Sequence, residues 1–360
     1  MKEQKPNIGL QPRDFYKNLA YGLFIILAGG YLLIFAKVLF CPLAFAVLFM
    51  ILLSPVCRFM ENRMRFPRAV SSAIAVILLL AVLSIIIFIL ATQVNRIVQD
   101  WATFKQQLTQ ALQGTRDWIS STFNIKPDGD EGALGYIISL VANSKPQAIG
   151  ATLLSVSSFL LFAVLFIFET FFLLLYRQKL VRFLVVVTDK STSVDVKDIL
   201  KNIQHTTHKY LIGLLIEMGI VTAACCTVFW LTGVKFPVLM GMLTGLFNII
   251  PYAGIYTALA INLVVILATG TPAIAISAII TVVIVHTLDS NLLLPFVVGG
   301  QTRVNALAII LALTAGAIIW HIPGMFLSVP LLAIVKIICD RVEHLKPLGI
   351  LLGNNKSGGG

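Results

Sequence analysis

The chain has 360 residues, of which 58% are hydrophobic and only 12% charged, and its mean hydropathy is +0.93. Soluble globular chains run at roughly 45–50% apolar and about 25% charged, so a soluble domain of this size would lack the charged skin it needs. Disordered, collagen-like and disulfide-scaffold classes fail on the same numbers, which leaves an all-α polytopic membrane protein. The net charge of +11 lies in short strips between apolar runs, the pattern that orients spans and meets anionic lipid. No basic-aromatic patch marks a nucleic-acid site.

A crossing helix needs about 20 apolar residues. Residues 1–18 read as a cytoplasmic tail carrying Lys2, Lys5, Arg13 and Lys17. Residues 19–91 hold three spans, Leu19–Ala36, Val38–Val56 and Ala69–Ala91. The first is a retained span: no small-x-small cleavage site follows it, and Phe40 before Cys41 is too bulky for lipoprotein processing. Residues 92–150 carry five basic and five acidic residues and read as an extracytoplasmic amphipathic insert. In it Val94, Ile97, Val98, Trp101, Phe104, Leu108 and Leu112 recur at helical spacing. A continuous helix over Thr92–Phe123 would extend about 48 Å, its stripe covered by the bilayer surface, the other spans or a neighbouring subunit.

Ala151–Tyr176 is the next span, closing the stretch 151–176. Residues 177–209 form a basic cytoplasmic loop, with Thr192 and Asp195 starting an amphipathic helix that shows Val196, Ile199, Leu200 and Ile203 on one face. Residues 210–339 form the transmembrane core. Tyr210–Thr232 comes first; Phe236–Ala268 is broken at Pro251, Ala273–Val298 at Pro295, and Val304–Cys339 at Pro323 and Gly324. Residues 340–360 are a second cytoplasmic tail. Eight segments, an even number, put both termini inside, as the basic strips require.

Ionisable side chains in hydrocarbon need a partner, water or a function. Glu217 lies seven residues into its segment, Asp289 lies within Ala273–Val298 with His286 one helical turn earlier, and Glu169 lies nearer the basic end of its span. Such carboxyls must be neutral or meet a cation, the two options of proton and sodium coupling. Glu217, Asp289 and His286 are therefore ion-coupling candidates, against the plainer reading of neutral acids bonded to a neighbouring helix. The breaks add a second signal. Asn248, Pro251 and Gly254 interrupt one segment, and Asp289, Asn291, Pro295, Gly299 and Gly300 the next. Trp320, His321, Pro323 and Gly324 interrupt the third. Non-helical backbone survives at membrane depth only where protein or trapped water satisfies it, and transporters use such breaks to bind ions or polar solutes. Gly213, Gly219, Gly241 and Gly245 permit close helix approach.

Other chemistries lack their residues. The five cysteines (Cys41, Cys57, Cys225, Cys226 and Cys339) form no CxxC and read as buried thiols. No phosphate loop, HExxH or GxSxG occurs, and His205 with His208 has no third ligand nearby. No catalytic residue, metal site or cofactor is expected, and the chain is not read as an enzyme.

The stretches Gly245–Ala258 (GLFNIIPYAGIYTA), Leu288–Gly300 (LDSNLLLPFVVGG) and Arg303–Arg341, ending GMFLSVPLLAIVKIICDR, resemble the autoinducer-2 exporter family of transporters. The helix Asp198–Gly219, running from cytoplasm into a span, fits the same pattern. The resemblance implies a bacterial inner-membrane protein that moves a small solute, with export of the quorum-sensing signal autoinducer-2 or sodium–proton antiport as the family's linked activities. It carries over Asn248, Pro251, Gly254, Asp289, Asn291, Pro295, Asn305, Gly324 and Pro330. Ile255 stands where many relatives have proline, and His321 where glycine is usual.

The reading is thus a secondary transporter with its pathway at Asn248, Pro251, Gly254, Asp289, Asn291, Pro295, Asn305 and Gly324. Its partners are a small-molecule or cation substrate, the lipid bilayer and further copies of the chain as a homo-oligomer, with no nucleic acid. Two other classes remain open: a non-transporting scaffold or regulator assembled through Val94–Leu112, and a passive channel.

Overall fold

The computed structural model describes residues 12–123, 156–188, 196–251, 253–292 and 304–353. Its framework is helical: α1 (Pro12–Phe35), α2 (Lys37–Arg63), α3 (Arg68–Gln99), α4 (Trp101–Phe123), α5 (Val156–Val187), α6 (Val196–Leu231), α7 (Pro237–Asn248), α8 (Ala253–Thr269), α9 (Pro272–Leu288), α10 (Ala306–Arg341) and α11 (Lys346–Leu352). A 3-10 turn, Glu343–Leu345, joins the last two. Six helices are long and apolar enough to cross a membrane: α2, α3, α5, α6, α9 with its following turn, and α10; the apolar part of α1 is Ala20–Phe35. Rows of exposed Leu, Ile, Val and Phe on α1, α3 and α5 fit faces bathed in lipid rather than water.

Two of the eight expected segments fold back on themselves. In the first, Asn248 ends α7 because Pro251, three residues on, has no N–H to continue the ladder. The chain turns through Ile250 N–H to Phe247 O at 3.0 Å and Gly254 N–H to Ile250 O at 3.1 Å. α8 then returns along α7, so that Asn262 on one arm donates to Thr244 on the other. A Cβ on Gly254 would run into the Phe247 carbonyl, so glycine is what permits the tight return. α7 itself runs back along α6, with Gly241 against Cys226 and Gly245 against Thr222 and Met218.

The second hairpin turns at the first two of the four residues expected to interrupt its segment. α10 is a 36-residue stretch that would extend about 54 Å if straight. Yet Ser328 Oγ donates to Ala312 O at 2.8 Å across sixteen residues, and Gly316 abuts Gly324. The turn lies at Trp320 (φ −134°, ψ 17°) and His321 (φ 56°, ψ −134°), while Pro323 and Gly324, named with them, lie within the returning arm. His321 occupies a left-handed region that only glycine enters without cost. The tip is tied to α1 by Trp320 Nε1–H donating to Leu33 O at 3.0 Å.

The hairpins enter from opposite ends of α6. The α7–α8 arms start beyond its last residues, where Val234 N–H bonds Phe229 O. α10 starts and ends near its first turn: Arg341 pairs with Asp198 at 2.9 Å, and Asn305 bonds the end of α11 at Leu351 O and Gly353 O.

The amphipathic stretch expected outside the membrane is not one helix: it divides at Asp100 (φ −96°, ψ 24°) into α3 and α4. Its stripe has a cover within the chain. Phe104, Leu108 and Leu112 are buried in one cluster with Val265, Ile266 and Ala268 of α8, with Trp101, Val94 and Ile97 packed beside them. A scaffold assembled through that stripe therefore loses the surface it would use. On the far side, α5 packs with α2 and α3 around Leu53, Cys57, Val76, Phe166 and Leu174. The expected helix start at Thr192 and Asp195 lies outside the described residues.

Two stability predictions follow from the hairpin turn. His321→Gly should raise the thermal unfolding midpoint, by a gain on the order of 1 kcal/mol from relieved backbone strain. Gly324→Leu should lower it by about 1–3 kcal/mol, because the new side chain overlaps the Gly316 backbone. Gly219→Ala, with nothing within 4 Å of its Cβ, is the neutral control.

Candidate functional site

Three of the elements above converge on two acids. Glu217 faces inward from the middle of α6 and is 2% exposed; Asp289, just past α9, is 3% exposed. Asn248, at the tip of the α7–α8 hairpin, bridges them: its Nδ2 donates to Glu217 Oε1 at 3.2 Å and to Asp289 Oδ2 at 2.9 Å. A side-chain amide nitrogen has two hydrogens, and here each goes to a different acid. The other carboxyl oxygens, Glu217 Oε2 and Asp289 Oδ1, are buried and take no hydrogen bond among the described residues. Ion pairs elsewhere among those residues include Arg177–Glu61, Lys336–Asp340 and Arg341–Asp198.

Local structure explains the convergence. The break at Pro251 ends α7 at the depth of Glu217, while α9 descends beside α8 until Asp289 reaches the same level. From Asp289 to Leu292 the helix widens into a π turn, a device that recurs at functional sites because it re-aims side chains and loosens the ladder. Two close buried carboxylates repel, and each also loses its hydration. One bridging amide does not neutralise them. The arrangement suits a proton held on the pair or a small cation held between the oxygens. Among the described residues no group of three or more His, Cys, Asp or Glu gathers as a metal site.

The remaining candidates are distributed as follows. Asn291 does not join the pair: it is exposed, and its Nδ2 donates to Thr287 O of its own helix at 2.7 Å. His286 is half-buried, with Nε2 3.4 Å from Ser290 Oγ and Nδ1 buried without a partner. Pro251 and Gly254 shape the hairpin turn, and Gly324 packs the second hairpin. Asn305 caps α10, its Oδ1 accepting from Ala308 N–H at 2.8 Å while its Nδ2 holds the end of α11. Pro295 lies outside the described residues, with Gly299 and Gly300. Glu169 sits on α5, its Oε2 buried without a hydrogen bond among the described residues, and does not join the Asn248 bridge.

One polar pair went unread in the sequence. Asn262 and Thr244 are each 1% exposed, and Asn262 Nδ2 donates to Thr244 Oγ1 at 2.8 Å. Thr244 lies one helical turn from Asn248 on the same face of α7. The available signal was an amide within the apolar run Ile261–Ala268, which calls for a partner just as an acid does.

Comparison with known proteins settles the family. A model of the AI-2E family transporters matches residues 23–344. The chain belongs to the AI-2E transporter family. It is similar to several bacterial proteins whose names begin "Putative transport protein". YueF of Bacillus subtilis is 27% identical over 84% of each chain. YrrI of the same organism is 24% identical over 86% of this chain and 89% of its own. YhhT of Escherichia coli is 23% identical over 92% of each. Membership and the apolar helices together make this AI-2E chain a multi-pass bacterial membrane protein of a transporter family, whose relatives are named for transport rather than catalysis.

The bridge yields a contrast between two asparagines. Asn248→Leu should leave two buried acids without their donor and destabilise the protein by about 1–3 kcal/mol. Asn291→Ala removes only an exposed bond within one helix and should change stability by less than about 0.5 kcal/mol. Thermal unfolding of the purified protein reads both.

Proposed function

We propose that this AI-2E protein is a secondary transporter that moves a small solute across the bacterial inner membrane, with both termini cytoplasmic, and couples that movement to protons or sodium at Glu217 and Asp289. The observation that carries the reading is the Asn248 bridge, which holds two buried carboxyls together at the tip of a hairpin. A cation entering the pair relieves their repulsion, and a proton does the same. Exchange between the two occupants is the elementary step of ion-coupled transport. The energy suffices: one proton crossing about 100 mV releases about 2.3 kcal/mol, a roughly fifty-fold solute gradient at 1.36 kcal/mol per tenfold. An autoinducer-2-like signal or a cation exchanged for protons are the solutes the family suggests.

Metabolite and cation profiling of a deletion strain against its complemented parent identifies the solute. In proteoliposomes carrying that solute, an imposed pH or sodium gradient should drive accumulation. Asp289→Asn combined with Glu217→Gln should remove the response to the gradient at least tenfold. Accumulation that still follows the gradient in the double variant would falsify coupling through the pair. Flux that never exceeds equilibration in the unaltered protein would make it a channel.

A further inference from the structure

The acid pair is buried, so a solute needs a route to it. On the side where α4 lies, a cavity of about 1080 Å³ opens between α4 and the α8–α9 turn, lined by Gln107 and Gln110 of α4, Leu263 and Leu267 of α8, and Ala275 and Ile279 of α9, among others. Its described lining is mostly apolar and carries no charged side chain. The cavity narrows into a seam between α8 and α9 that shares Leu263, Ala275 and Ile279 with it and adds Asn262, Ala278 and Val282. The seam has no room for a water molecule. It points along α9 toward Asp289 and along α8 to Asn262.

Asn262 gives the seam a chemistry. Thr244 spends its hydroxyl hydrogen on Met240 O at 2.8 Å, so its contact with Asn262 must be the amide Nδ2 donating to Thr244 Oγ1. That fixes the amide's orientation and leaves Asn262 Oδ1 facing a site where it is buried without a hydrogen bond. A buried acceptor left unmet costs about 1–3 kcal/mol, and a hydrogen-bond donor arriving there would recover part of it. From Thr244, one turn of α7 leads to Asn248 and the acids.

We propose that the α4-side cavity is the vestibule of this transporter, that parting of α9 from α8 along the seam opens it to the acid pair, and that Asn262 Oδ1 is a second polar station receiving a small uncharged solute through its hydrogen-bond donor. The proposal rests on the transport reading above but not on which ion drives it. Among the described residues the lining is uncharged, which favours an uncharged solute: a charged one would lose hydration against those side chains. On the α9 side the seam mixes small Ala275 and Ala278 with Ile279 and Val282, so its parting separates apolar contacts and breaks no hydrogen bond between the two helices' described lining side chains.

N-Ethylmaleimide, small and uncharged, serves as the probe, applied to the protein in lipid nanodiscs where both faces meet the reagent. Peptide mapping by mass spectrometry compares Ala278→Cys with Cys57, fully buried in the α2 core, within the same molecule. The seam thiol should react at least tenfold faster than Cys57, and adding Gln110→Trp in the vestibule should slow it at least threefold. Reaction no faster than Cys57 overturns the opening of the seam. Reaction that is fast but indifferent to Gln110→Trp means another route and overturns the vestibule. If Ala278→Cys loosens the fold, Cys57 reacts rapidly too, and Ala275→Cys then decides by the same ratio. Asn262→Cys tests whether the opened seam reaches the station: it should follow Ala278→Cys in rate and in sensitivity to Gln110→Trp, and inertness there overturns the station. None of these readings depends on Glu217 or Asp289, whose coupling stands or falls by gradient-driven accumulation alone.

Discussion

Two carboxyl groups held within reach of one amide, deep among apolar helices, set the terms for the rest of this fold. Each acid in hydrocarbon is costly alone, and together they add mutual repulsion. Asn248 lowers that cost only if its Cα lies at the level of Glu217 and of Asp289 at once. α7 must therefore stop partway along α6, and a helix of 12 residues, about 18 Å, is too short to cross. The return through Pro251 and Gly254 is the remaining solution that leaves few backbone groups unmet. Hairpin, bridge and acid pair are one constraint expressed at three levels of structure.

The sequence made the apolar segments, the two acids and the breaking residues legible, because hydropathy and ionisable residues in apolar runs are local properties. It did not make direction legible. Two short arms that fold back have the same composition and mean hydropathy as one kinked span, so Val304–Cys339 reads as a crossing although Ser328 meets Ala312. A marker did exist: the family resemblance implied glycine where His321 stands, and the positive φ of His321 is a conformation that glycine enters most cheaply. Helical phase was lost in a second place. Asn291 lies two residues past Asp289, and within a widened turn the usual 100° step no longer tells which face a residue takes. Its exposure and its bond to Thr287 follow from that local geometry.

The amphipathic α4 shows how one pattern supports opposite conclusions until its partner is known. A stripe at helical spacing requires a cover, and a neighbouring subunit, lipid or the chain itself would serve equally. The cover is α8, the returning arm of the hairpin that carries Asn248. α4 is thereby coupled to the element that positions the acids: any movement of α8 against α6 or α9 must be followed or resisted by Phe104, Leu108 and Leu112.

The division of labour between apolar and polar surface then has a physical rationale. A route that was polar throughout would hold water and let protons short-circuit the coupling that a carboxyl pair provides. A closed apolar seam excludes water at rest, while Asn262 and Thr244 supply an intermediate stop at the cost of one unmet acceptor. Charge is confined to the far end, where Glu217 and Asp289 sit with a single donor between them. With hairpins entering from opposite ends of α6, the second is pinned at Trp320 to α1 and at Arg341 to Asp198, while the first packs closely on α6 where Gly241 meets Cys226 and Gly245 meets Thr222, which leaves the α8–α9 seam as the place for the proposed opening.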